Sequence, residues 1–281
     1  MTSSGTGNTY GHIAIGLNSQ NKFEGVDQDG SPNIAMGIYS MENNVMEGAN
    51  VAIGNYAMRY LGLNSNSATY PGGYGNVAIG HNAMAGGYAG TWNQSSTLRS
   101  DYNVAIGLGA LSSITSYTSD KNTCIGATAG DNITTGTNNT CLGYGSDASA
   151  AGVNNEMTLG NSYVSTLRCN TSMTSLSDGR DKIDIVDLPI GLDFLNTLRP
   201  VKFKWQTRDG NIKDGLTRAG FIAQDLQSAQ TNHDYLDLVM DSNPDRLEAR
   251  QEHLIPVLVQ AIKDLSAKND ALEARLDALE S

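Results

Sequence analysis

Five-residue phrases that alternate large and small side chains run through the first 160 positions, each opened by a polar residue and closed by glycine. They read His12-Ile13-Ala14-Ile15-Gly16, Asn33-Ile34-Ala35-Met36-Gly37, Asn50-Val51-Ala52-Ile53-Gly54, Asn76-Val77-Ala78-Ile79-Gly80 and Asn103-Val104-Ala105-Ile106-Gly107. Asn122-Thr123-Cys124-Ile125-Gly126, Asn139-Thr140-Cys141-Leu142-Gly143 and the degraded Glu156-Met157-Thr158-Leu159-Gly160 continue the series. A period of two predicts eight very short strands with one bulky face and one nearly bare face. The glycine suits a positive φ or a close backbone approach, and the asparagine can bond backbone where the chain turns in. Successive glycines are 21, 17, 26, 27, 19, 17 and 17 residues apart, so the shortest complete turn takes 17. Such spacing predicts a solenoid or stacked roll, in which no turn buries its apolar face without neighbours.

After Gly160 the pattern changes. Residues 162–177 are rich in Ser and Thr, with apolar side chains at Leu167 and Met173. Beyond them the periodicity is mixed: a short helix over 193–198, a strand over 201–205, a hairpin-like turn at 208–211, a return strand over 220–223 and a helix over 225–229. Val201, Phe203 and Trp205 share one strand face, which assigns Trp205 to a core. Leu258, Ile262, Leu265, Asn269, Leu272, Leu276 and Leu279 step by 4, 3, 4, 3, 4 and 3, the seam of a coiled-coil helix over about 254–281. Pro256 fits only if that helix begins just before it. Asn269 interrupts the apolar seam, and a polar residue there fixes register and strand number.

Charge sharpens the division. Residues 1–176 carry 15 charged side chains and residues 177–281 carry 32. This predicts a β-repeat region over 1–160, a linker over 161–176 and a small α+β domain over 177–281. A net charge of −11 argues against nucleic acid and anionic membranes as partners. No apolar run approaches the roughly 20 residues of a membrane span, and residues 1–5 lack the features of a signal peptide, so the expectation is a soluble chain made in a cytoplasm. Cys124, Cys141 and Cys169 have no His at metal-ligand spacing and read as free small apolar residues, with Cys124 and Cys141 in the same slot of adjacent turns and so packed. No metal or other cofactor is expected, and His233 and His253 read as surface residues without partners.

Two stretches carry candidate chemistry. The longest intervals between phrases hold Tyr70, Tyr74, Tyr88, Trp92 and Tyr102 among Gly and Ser, the composition of loops that bind sugars or proteins. The acids of the repeat region are scattered and form no paired motif of the kind a glycosidase needs. At the junction, Ser177 precedes Lys182 by five residues in Ser177-Asp178-Gly179-Arg180-Asp181-Lys182. A serine and a lysine so placed can break a peptide bond if the amine is held neutral. Asp178, Asp181 and Asp184 favour the charged ammonium and so oppose that role.

The phrases of the first 160 residues resemble the repeats of bacteriophage tail fibres and of trimeric autotransporter adhesin heads, in which three chains supply the walls of one β-roll or β-prism. Three chains sharing one axis would bury Ile53, Ile79 and Ile106. The Ser-Lys junction, Leu198-Arg199-Pro200-Val201, Gly220-Phe221-Ile222-Ala223-Gln224 and the block Leu254–Ala261 with Asp264 and Leu265 occur in an order that resembles the endosialidase-type intramolecular chaperone autoprotease domain. That resemblance implies a domain that trimerises and folds the fibre ahead of it, then cuts between Leu176 and Ser177. Ser177 is then the nucleophile and Lys182 the base, with Asp178 and Arg180 supporting the motif.

The resulting expectation is a homotrimeric tail-fibre or tailspike tip, assembled in a host cytoplasm and carried on the virion. It would bind a host-surface glycan or protein receptor and attach to an upstream tail or fibre protein. Other readings are an uncleaved trimerisation domain, a glycan-degrading tailspike and a bacterial surface adhesin, the last disfavoured by the expected absence of a secretion signal and anchor.

Overall fold

The computed structural model describes residues 11–20, 32–42, 48–60, 73–86, 100–115, 119–206 and 215–280. The chain divides into two compact units, residues 1–164 and 165–281. In the first, every phrase becomes a three-residue strand: β1 (Ile13–Ile15), β2 (Ile34–Met36), β3 (Val51–Ile53), β4 (Val77–Ile79), β5 (Val104–Ile106), β6 (Thr123–Ile125), β7 (Thr140–Leu142) and β8 (Met157–Leu159). The eight pair in chain order as one parallel sheet. The register sets each small residue beside the next, Ala52 against Ala78 and Cys124 against Cys141. One short strand per turn makes a parallel β-solenoid.

The bare face lies inside the coil. Ala35, Ala52, Ala78, Ala105 and Cys124 are fully buried, whereas Ile15, Met36, Ile53, Ile79 and Ile125 stand exposed on the other side of the pleat. The small residues leave room for Met41, Met58, Met84 and Leu111, each four positions after its turn's glycine and each buried. The coil therefore has a core of its own, built from the bare face and from side chains beyond the five-residue phrase. In the next turn the same slot holds Gly130, and a side-chain carbon added there would collide with Cys124 Sγ. A larger residue on the strand is matched by a smaller one opposite, as close packing demands.

Two columns hold the turns in register. Gly16, Gly37, Gly54, Gly80, Gly107, Gly126 and Gly143 have φ between +119° and +138°. From Gly16 to Gly126, a Cβ on any of them would strike the carbonyl of the glycine in the following turn. Beside them runs a ladder of buried Asn33, Asn50, Asn76, Asn103, Asn122 and Asn139. Asn76 Oδ1 accepts from Asn103 N at 2.9 Å and from Asn103 Nδ2 at 3.2 Å, and the other rungs repeat this pattern. His12 Nδ1 begins the ladder by accepting from Asn33 N, and Glu156 N ends it on Asn139 Oδ1.

In the second unit, α1 (Leu192–Leu195) leads to an antiparallel pair, β9 (Val201–Lys204) and β10 (Thr217–Gly220), and then to α2 (Ala223–Ala229). The return strand thus ends where it was expected to begin, because Phe221 and Ala223 pack against the apolar cluster instead of continuing the ladder. The expected turn at 208–211 lies outside the described residues. Trp205 is past the end of β9, exposed and edge-on to Phe203, so its assignment to the core is corrected. A two-residue pair, β11 (Val239–Met240) and β12 (Glu248–Ala249), precedes the last helix, α3 (Ile255–Glu280). The core joins Phe194, Leu226, Leu236, Leu238, Leu254 and Val257.

The histidines are not partnerless. His233 lies edge-on to Phe194 with its Nδ1 3.3 Å from Tyr235 Oη, and His253 Nδ1 is 3.1 Å from Leu236 O. Helix α3 starts one residue before Pro256, where the missing N–H needs no partner. Its Val257 and Ala261 are buried in the unit, while Leu258, Ile262, Leu265, Leu272, Leu276 and Leu279 form an exposed stripe. Asp264 ties α3 to α1, since its carboxylate accepts Leu192 N at 3.0 Å and Gln260 Nε2 at 2.9 Å. A side chain on Gly191 would occupy the place of that carboxylate. The Leu192 amide, helped by Gln260, holds the Asp264 carboxyl below its ordinary range.

Two outcomes follow from these contacts. Gly80→Ala meets both a positive φ and the Gly107 carbonyl, so it is expected to cost at least about 1–3 kcal/mol and lower the melting temperature of the solenoid. Asp264→Ala is expected to speed hydrogen exchange at the Leu192 amide. Because the folded carboxyl titrates lower than the unfolded one, near 3.9, the wild-type contribution is present above that value and fades as pH falls through the lower folded value. Exchange at Leu192 that is unchanged by the substitution would show that Asp264 does not hold α1.

Candidate functional site

Ser177 and Lys182 meet because the residues between them form a tight turn. Asp178 accepts the N–H of Arg180 at 2.9 Å and opens a 3₁₀ turn over Gly179–Asp181. Asp181 N then bonds Asp178 O at 3.1 Å, and Lys182 N bonds Gly179 O at 3.3 Å. Two extended residues flank this turn, and across it Lys182 Nζ stands 2.6 Å from Ser177 Oγ.

Asp178 and Arg180 pair with each other. Both carboxylate oxygens of Asp178 lie 3.1 Å from Arg180 Nε. The Arg180 guanidinium, with the Arg180 amide, holds the Asp178 carboxyl below its usual range, and Asp178 in turn raises the guanidinium. Asp178 is therefore engaged away from Lys182. Among the described residues no carboxylate lies within ion-pair distance of Lys182, so Asp181 and Asp184, although near in sequence, form no ion pair with it. Leu176, Ser177 and Lys182 are all exposed, and the Leu176–Ser177 peptide lies open to solvent in the single chain.

The other sequence candidates are spread over both units. Tyr74 and Tyr102 pack edge to face with ring centroids 5.8 Å apart, and Tyr102 is exposed. Tyr70, Tyr88 and Trp92 lie outside the described residues. Asn269 is exposed on α3, on the same stripe as Leu265 and Leu272. Cys124 and Cys141 are buried, while Cys169 is exposed. The hydrogen bond to Cys141 and burial both push the Cys124 thiol up, while the same bond holds the Cys141 thiol down, and both side chains are packed inside the coil.

Arg59 is a residue that the sequence reading passed over. Its guanidinium lies 4.8 Å from the ring centres of Tyr39 and Tyr60 and 4.9 Å from that of Tyr56, and its Nε bonds Glu42 at 2.8 Å. The signal was present in the repeat: Tyr39 and Tyr56 each stand two residues after a stacked glycine, so consecutive turns must bring them together. Their rings stack with centroids 5.4 Å apart.

Neither a curated protein nor a solved structure matches this chain. Residues 177–235 match the model of the family described as chaperone of endosialidase, and the matched segment begins at the serine that meets Lys182. That match and the parallel β-solenoid ahead of it fit a tail fibre with a C-terminal chaperone domain.

Proposed function

We infer that the chain forms a homotrimeric tail-fibre tip for a host surface, and that residues 177–281 join and align three copies before cutting themselves free. The observation that carries this reading is the location of the large apolar side chains. In the solenoid, Ile15, Met36, Ile53, Ile79 and Ile125 make an exposed ladder, and along α3 the leucine stripe is exposed as well. Water-facing stripes of this length call for cover, and two further copies supply it in register. In-register repeats are prone to slip by a turn, so fastening three C-termini first makes the remaining alignment effectively intramolecular.

Cleavage follows from the Ser177–Lys182 contact. Neutral Lys182 takes the proton of Ser177 Oγ, and the oxygen attacks the Leu176 carbonyl carbon. The C–N bond to Ser177 breaks, with its nitrogen gaining a proton, and leaves Leu176 as an ester on Oγ. Water then hydrolyses the ester, giving a Leu176 carboxylate and a free Ser177 amine and hydroxyl. A lysine amine is neutral enough for this work only where water is excluded. Both side chains are exposed in the single chain, so neighbouring copies have to provide the cover, and cleavage is coupled to assembly. The same exposure favours a second reading, in which the contact stays an ordinary hydrogen bond and the domain remains attached as a permanent clamp.

Intact mass and mass in solution separate the two. The wild type is expected to divide into residues 1–176 and 177–281, while Ser177→Ala stays whole and both remain trimeric. Leu272→Glu places a charge in the helix stripe and is expected to block both assembly and cleavage. A wild-type trimer that stays full length would leave the clamp standing, and a monomeric wild type would remove both readings.

A further inference from the structure

A groove of about 760 Å³ crosses three turns of the solenoid beyond the glycine stack. It exists because equivalent slots of successive turns step down in size. Tyr56, Arg59 and Tyr60 stand two, five and six residues after Gly54, and the same slots after Gly107 hold Gly109, Ser112 and Ser113. All six line the groove, with exposed Asn82 from the turn between them. Two phenol rings and a guanidinium thus form a wall beside a floor of glycine and serine hydroxyls. The volume falls within the roughly 300–1,000 Å³ of small-ligand sites.

Arg59 is fixed before any ligand arrives. Glu42 holds its Nε, three tyrosine rings surround its guanidinium, and among the described residues no hydrogen bond engages its two terminal nitrogens. A held guanidinium with free terminal donors suits the two oxygens of a carboxylate and loses little freedom on binding. Ser112, Ser113 and Asn82 suit the hydroxyls of a sugar ring, with the edges of the two phenols beside them. Glu42 offsets part of the local positive charge, so a single carboxylate matches the site better than a doubly charged phosphate. The net charge of −11 likewise disfavours a dense polyanion.

We propose that this groove, lined by Tyr56, Arg59, Tyr60, Ser112 and Ser113, binds a carboxylate-bearing pyranose of a surface glycan. The biological sense of this site rests on the host-binding part of the function proposed above, whereas sugar binding itself does not require cleavage.

The test is saturation-transfer NMR on the full chain with the methyl glycosides of glucuronate, galacturonate and N-acetylneuraminate, beside the neutral methyl glucoside and galactoside. At least one acidic glycoside is expected to bind with a dissociation constant on the order of millimolar, corresponding to about 4 kcal/mol, and more tightly than the neutral pair. Arg59→Gln is expected to weaken the acidic sugar about tenfold or more, while Ser113→Phe fills the groove and abolishes binding. Circular dichroism and mass in solution on the same samples separate lost folding or assembly from lost binding. If none of the three acidic glycosides binds folded wild type, or if binding survives both substitutions, the proposal fails. Equal binding of neutral and acidic glycosides, unaffected by Arg59→Gln, also overturns the carboxylate assignment.

Discussion

The solenoid depends on how closely one turn of backbone can approach the next. At the glycine column the carbonyl of each following turn occupies the space where a side chain would begin, and the backbone there adopts a φ that L side chains rarely take. With that spacing fixed, each three-residue strand meets its equivalent in register, and the small residue at its centre must face inward. The outward position of the isoleucines is then a consequence of the pleat. A coil built this way is narrow inside, so methionine and leucine from the opposite wall fill it, and the large residues of the strands themselves are left outside.

The same separation of inside and outside recurs in the C-terminal unit by different means. Helix α3 uses Val257, Ala261 and Asp264 to hold to its own domain and leaves its leucine stripe in water. Each unit leaves apolar side chains in water beside its own core. In this respect the chain resembles a component more than a finished globule, and the proposed assembly has surfaces of matching character to work with in both units.

Much of this was legible in the sequence, for physical reasons. Short-period alternation with a fixed glycine gives strand position and register together, because a single-residue slip would invert every side chain. The heptad gave α3 and its stripe, and the serine-lysine spacing gave a contact that a tight turn closes at 2.6 Å. What escaped were relations between residues far apart in sequence. The Met41, Met58 and Met84 column lies outside the five-residue phrase, and the tyrosine cage of Arg59 spans two turns. The Asp178–Arg180 pairing was missed for a different reason: adjacent charges in a sequence do not say which of several cations a carboxylate will choose. Trp205 was misassigned because alternation predicts a face but not where a strand stops.

The asparagine ladder has a direction. Each side-chain oxygen accepts from the turn that follows, so every rung presents the same unfilled acceptor to its successor until Glu156. There the carboxylate folds back onto Ser149, taking its N–H at 2.7 Å and its hydroxyl at 2.6 Å. Glutamate thus works as a terminator in a tandem code: it reads the preceding rung through its amide while its oxygens are spent locally. Whole turns cut from one asparagine to the next leave the acceptor chain intact, so length becomes a modular variable, while the closing turn remains a distinct part.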